Sequence, residues 1–149
     1  MNLKLTAAVL ALVAAPAFAQ EVPSGDVAAG EKVFAKCQTC HVVANEAGEV
    51  LAGKNSKTGP NLYGMPGRVA GTYPEFKYGE SIVAVGAAGL AWNEADFVSY
   101  VADPAKFLKE KTGDKAAKTK MSFKLPKEED AKNVWAFIAS LSPAPAASN

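Results

Sequence analysis

The strongest periodic signal lies near the end of the chain. Ala131, Val134, Trp135, Ile138 and Leu141 recur at helical spacing, which puts them on one apolar stripe facing a core. Glu128, Glu129 and Asp130 precede the stripe, where acids favour the positive end of a helix dipole, so a helix is predicted to begin near Pro126. A second apolar face, Phe97, Tyr100 and Val101, follows Asn93, whose side chain can cap the helix while Asp96 reaches back to it. Asp103-Pro104 stops that helix and opens a short third one through Phe107 and Leu108. Closer to the start, Asp26 is placed to cap a helix running through Val27 and Phe34 towards Cys37.

The rest of the pattern is irregular. From Val42 to about Ala91 the chain is rich in Gly, carries Pro60, Pro66 and Pro74, and holds neither a helical nor an alternating period. It predicts one long ordered loop, and residues 109–120 predict a second, rich in Lys. So much irregular backbone fits a compact domain only if a large apolar cofactor fills the interior. The fold class that follows is all-α, with four to five helices and long loops wrapped around one bound group.

At 149 residues there is room for one core and not two. Residues 1–19 read as a secretory signal: Lys4 opens it, Leu5 to Ala15 is apolar, and Ala17-Phe18-Ala19 has the small-x-small pattern cut by signal peptidases. Cleavage after Ala19 starts the mature chain at Gln20 and exports it to the periplasm. The apolar run is short of the ~20 residues that span a bilayer, and later segments are too interrupted by charge, Gly and Pro to do so. The domain is predicted over 20–141, with SPAPAASN at 142–149 as a low-complexity, disordered tail. Loss of Lys4 brings the 16 basic residues level with the 15 acidic ones, which removes any argument for nucleic acid binding.

The chemistry is concentrated in five residues. The chain has two Cys and one His, and all three fall in Cys37-Gln38-Thr39-Cys40-His41, the c-type haem attachment pattern. That spacing lets two thiols reach the two vinyl groups of one porphyrin while the adjacent His binds iron. A disulfide across two residues would close too small a loop to stabilise much. A thioredoxin-like pair would follow a strand rather than a helix. A structural zinc site wants four N or S ligands, and only three such side chains exist here. Haem iron also takes a sixth ligand, for which the mature chain offers Met65 or Met121. Met121 is favoured, since it lies eighty residues after His41 beyond a helix pair that can wrap the ring, whereas Met65 is tied to the Pro66-Gly67 turn. His and Met together raise the reduction potential and favour electron transfer over O₂ or peroxide chemistry.

These residues carry a likeness. The chain resembles class I c-type cytochromes, and within them the bacterial cytochrome c2 or c550 type, from Gly25 to Leu141. The landmarks are GDVAAGEKVFAKCQTCH, KTGPNLYGMPGR, FKYG, Trp92 at a helix start, YVADP and KTKMSF. The resemblance implies a cytochrome c fold around one covalent haem c with its iron, and an electron carrier rather than an enzyme. It implies that Gly30 and Phe34 cross the last helix at Val134, Phe137 and Ile138, and that the Pro60 carbonyl orients His41. It implies that Arg68, Tyr78, Trp92 and Thr119 bond the propionates, that Tyr100 sits near the axial Met121, and that Phe123 covers the haem edge. Relative to short members the chain is longer at Val42 to Ser56 and between Phe107 and Met121.

Eight lysines, at 106, 109, 111, 115, 118, 120, 124 and 127, surround Met121 with only Glu110 and Asp114 among them. Lys32, Lys36 and Lys57 extend the block. Such a ring would steer a monomeric shuttle onto acidic membrane complexes, from a quinol-oxidising bc1 type complex to a terminal oxidase, another reductase or a photosynthetic reaction centre. The competing class, a haem peroxidase or gas-binding protein, usually needs a distal acid-base residue, and no second His is present for it.

Overall fold

The computed structural model describes residues 22–144. The signal segment with its cleavage point and the end of the tail lie outside the described residues. Among the described residues seven elements occur, in the order α1 (Val27–Phe34), β1 (Val42–Ala44), β2 (Val50–Gly53), α2 (Glu80–Ala87), α3 (Glu94–Ala102), α4 (Pro104–Thr112) and α5 (Glu128–Leu141). None of these helices is long and apolar enough to cross a membrane.

Both caps expected from the sequence form. Asp26 Oδ1 accepts from Ala29 N at 2.6 Å, and Asn93 Oδ1 accepts from Asp96 N at 2.9 Å while its amide donates back to the Asp96 carboxylate at 2.8 Å. Asp103 ends α3 and caps α4 with Pro104 in the first turn.

The terminal helices cross where the sequence expects. A Cβ on Gly30 would lie 1.9 Å from the Asn133 carbonyl oxygen and 2.8 Å from Phe137 Cβ, so only hydrogen fits between α1 and α5. Phe34 and Phe137 pack with ring centroids 5.4 Å apart. Asn133 adds a polar pin that the apolar stripe hides: its Oδ1 accepts from Asp26 N at 2.7 Å and fixes the start of α1 on the flank of α5. Val134 and Ile138 of α5 are fully buried, as are Val43, Phe107 and Leu108 elsewhere in the core.

The long middle segment is not all loop, which corrects the reading of 42–91. Val42–Ala44 and Val50–Gly53 pair as an antiparallel hairpin, Val42 opposite Gly53 and Val43 opposite Ala52. The strands are too short to show alternation, and the turn is held by Asn45, whose Oδ1 accepts from Ala47 N at 3.1 Å and Glu49 N at 3.0 Å. Glu80–Ala87 is a helix whose buried face, Ile82, Val85 and Gly86, has the right spacing. Its Gly and β-branched residues are poor helix formers, so packing rather than propensity settles it. The predicted loop 109–120 is likewise shortened, because α4 continues to Thr112 and ends at Gly113 in the left-handed conformation.

Candidate haem-binding site

Beyond α1 the chain winds on through a tight turn. Cys37 N donates to Phe34 O at 2.8 Å, Cys40 N to Cys37 O at 3.1 Å, and His41 N to Cys37 O at 2.9 Å. This winding turns both thiols and the imidazole onto one wall of a cavity of about 450 Å³. Cys37 and Cys40 are not joined in a disulfide. Burial pushes the Cys37 thiol up to about 11, with Lys36 opposing the shift and Cys40 adding to it. Among the described residues no three His, Cys, Asp or Glu side chains are grouped to hold a bare metal ion.

His41 is oriented from behind. Its Nδ1 lies 2.8 Å from the Pro60 carbonyl oxygen, which can only accept, so Nδ1 carries the proton and Nε2 keeps its lone pair. Burial holds the imidazole below its ordinary pKa and the Pro60 bond opposes that shift. The ring is also wedged by Gly59, a residue for which the sequence suggested no role. A Cβ there would fall 2.5 Å from His41 Cε1 and 2.7 Å from Nδ1. Gly59→Ala is therefore expected to displace the imidazole, costing at least about 2 kcal/mol by overpacking. Urea unfolding of the holoprotein and its low-spin absorption spectrum check this; an unchanged midpoint and spectrum would refute it.

The other walls gather residues far apart in sequence. Pro60, Arg68, Tyr78, Trp92, Tyr100, Thr119, Met121 and Phe123 all line the same cavity as Cys37, Cys40 and His41. Trp92 and Arg68 are brought together by paired backbone bonds, Trp92 N to Arg68 O at 3.0 Å and Gly67 N to Trp92 O at 2.8 Å. Trp92, Tyr100 and Phe107 form an aromatic cluster, with Tyr100 edge-on to both partners at 5.2 and 5.5 Å. Burial raises the Tyr100 phenol above its usual pKa, partly offset by a hydrogen bond with Thr119. Phe123 is 38% exposed, so the wall it forms is also surface. Met65 borders the cavity as well, but is buried within the turn that follows Pro60.

Arg68 carries the clearest sign of a missing partner. Its two terminal nitrogens donate to Tyr63 O and Asn61 O, each at 3.0 Å, while its buried Nε has no partner among the described residues. Burial lowers its pKa, opposed by the nearby phenols of Tyr78 and Tyr73. A guanidinium in that position suits a carboxylate ligand.

The chain is 63% identical over 128 residues to cytochrome c2 of Fuscovulum blasticum, covering 86% of this chain and 81% of that one. The chain belongs to the cytochrome c2 family. Cytochrome c-550 of Paracoccus versutus is 48% identical over 146 residues, covering 96% of this chain and 91% of the relative. A crystal structure of cytochrome c2 from Rhodobacter sphaeroides superposes with a TM-score of 0.79 at 57% identity, covering 82% of this chain and all of the other. No protein-family model matches the chain. The family's cofactor is a covalently bound haem c. The site fits it: two unbridged thiols lining one cavity with an imidazole whose Nδ1 is held by Pro60, a largely apolar lining and a buried Arg68 nitrogen with no partner among the described residues.

Proposed function

We propose that the chain is a periplasmic, monomeric one-electron carrier working between a quinol-oxidising bc1 type complex and a terminal oxidase, another reductase or a photosynthetic reaction centre. The observation that carries this reading is one cavity lined by the Cys37–Cys40 pair, His41 held from behind by Pro60, and Met121 on a segment remote in sequence. In it Cys37 and Cys40 would hold the haem through thioether bonds, and His41 Nε2 and Met121 Sδ would bind its iron. Bound there, haem c supplies a reversible one-electron iron couple whose potential a thioether ligand raises.

The chain's own residues hold that couple in place. The Pro60 carbonyl keeps the His41 lone pair aimed inward. Arg68, Tyr78, Trp92 and Thr119 offer donors for the propionates, which need partners when buried. Tyr100 packs beside the Met121 segment through Thr119. Phe123, half in and half out of the surface, covers the cavity edge through which an electron would pass. With His41 and Met121 both available to iron and no second His for acid-base work, carriage is a better reading than catalysis.

Docking draws on the lysines unequally. Lys111 pairs with Asp96 and Lys124 with Asp103, both at 2.7 Å, Lys106 with Glu110 at 3.8 Å, and Lys127 with Glu129 and Asp130 at 3.3 and 3.1 Å. Lys118 and Lys120 border the cavity and have no carboxylate of the described residues within ion-pair distance. These two are the ones to steer an acidic partner; Lys36 stands at the same rim but pairs with Asp130 at 3.7 Å. Electron transfer to detergent-solubilised oxidase or reaction centre is expected to slow roughly tenfold as salt is raised through ~0.1 M, where the Debye length is about 10 Å. Stopped-flow rates for Lys118→Ala/Lys120→Ala should have a shallower salt dependence than those for Lys106→Ala/Lys111→Ala. A salt-independent rate for the unaltered protein would remove the docking reading.

A further inference from the structure

The segment that carries Met121 is held to the body by little apolar packing. Between Gly113 and Ser122 only Ala117 is fully buried, and most of the hydrogen bonds of the segment are local. Asp114 N bonds Thr112 Oγ1, Ala116 N bonds Asp114 Oδ1, and Met121 N and O both engage Thr119 Oγ1. Beside the Tyr100–Thr119 bond, which ties the segment to α3, two bonds to the rest of the chain land on one short stretch. Lys118 N donates to Ser81 Oγ at 3.0 Å, and Lys120 Nζ donates to Lys77 O at 2.7 Å. The Lys120 stem lies flat over Gly79 between these two anchors, 3.6 Å from where a Cβ would stand.

We propose that Ser81 is a positioning residue for Met121: its hydroxyl, together with the Lys120 staple, latches the 118–121 segment onto residues 77–81 and sets how often the sixth ligand leaves the iron. Ser81 itself does not line the cavity, so it acts only through the segment it holds. It sits in the first turn of α2, on the side facing Lys118, where a helix tolerates Ala without loss of a cap. A segment with few buried apolar contacts opens locally at far lower cost than the whole domain, so one bond in the latch is a large share of what keeps it shut. The inference rests on Met121 being the axial ligand.

The test uses the ferric holoprotein and imidazole. The limiting rate of imidazole uptake at saturating concentration reads opening of the segment. Ser81→Ala is expected to raise that rate about 5-fold, the effect of losing one ordinary hydrogen bond, while the urea midpoint stays near that of the unaltered protein. Ser81→Thr, which keeps the hydroxyl, should restore the rate, and Lys120→Ala should raise it in the same direction. Amide exchange at Lys118 and Met121 should quicken in step. An unchanged rate in Ser81→Ala, or a rise matched by an equal fall in the urea midpoint, overturns the latch. Met121→Ala separates the two readings. If its sulfur band persists, the ligand assignment fails and the latch with it; if the band is lost and Ser81→Ala stays slow, the latch alone fails.

Discussion

Met121→Ala is expected to erase the sulfur-to-iron charge-transfer band of the ferric holoprotein and to lower its reduction potential by on the order of 0.2 V, within the span of ~0.8 V over which axial ligands tune haem. The reason is electronic: a neutral, soft thioether stabilises reduced iron relative to oxidised iron, and water or hydroxide in its place does the reverse. Stability should fall less than in a core truncation, because Met121 is only partly buried at a surface segment. Met65→Ala gives the opposite pattern. Met65 is 5% exposed inside the turn that also supplies the Pro60 and Arg68 anchors, so its loss leaves a cavity costing about 2–5 kcal/mol with the band intact. Visible spectra and a redox titration of both variants decide between them, and loss of the band in Met65→Ala alone would reverse the ligand assignment.

Gly30→Ala is expected to destabilise the holoprotein by about 3 kcal/mol or more, a large fraction of the ~5–15 kcal/mol that holds a domain together. Helix propensity alone predicts the other sign, since Ala is favoured over Gly inside a helix by about 1 kcal/mol. Packing wins because the new carbon would stand 1.9 Å from a backbone oxygen of Asn133, which cannot rotate out of the way. α1 would have to lift from α5, opening the Phe34–Phe137 contact and the Asp26–Asn133 bond. Since α1 leads directly into Cys37, the same movement shifts the haem-attachment turn, and the yield of holoprotein should fall with the urea midpoint. Asn133→Ala serves as the comparison, losing one bond worth about 1 kcal/mol with no clash. Equal midpoints for Gly30→Ala and the unaltered protein would mean that the two helices do not need their close approach.

The haem motif was legible because covalent chemistry fixes residue type and spacing with no help from the fold. Cys37, Cys40 and His41 are neighbours in sequence and remain neighbours in space through one turn of backbone bonds. The caps of α1 and α3 were legible for the same reason, being contacts between residues three apart. Gly59 and Asn133 were not. Gly59 has a role only because the chain doubles back to place it against a ring eighteen positions earlier, and Asn133 looks like a polar position on α5 until α1 is laid across it.

The lysine block makes the same point about charge. Its eight residues look alike along the chain, yet four of them face carboxylates supplied by α3, α4 and α5 and by Asp103, while Lys118 and Lys120 stand at the cavity rim. Only folding sorts a run of like charges into paired and unpaired members.

By itself the sequence determined the cofactor chemistry, the family and the helices whose apolar faces and caps are local, because each is written in short motifs or in a regular local period. The tertiary structure decided which glycines are obligatory, which lysines are free, that α2 and the hairpin exist, and which segment latches Met121. Those depend on distances between parts of the chain far apart in sequence, and close approach of that kind leaves no periodic mark on either partner.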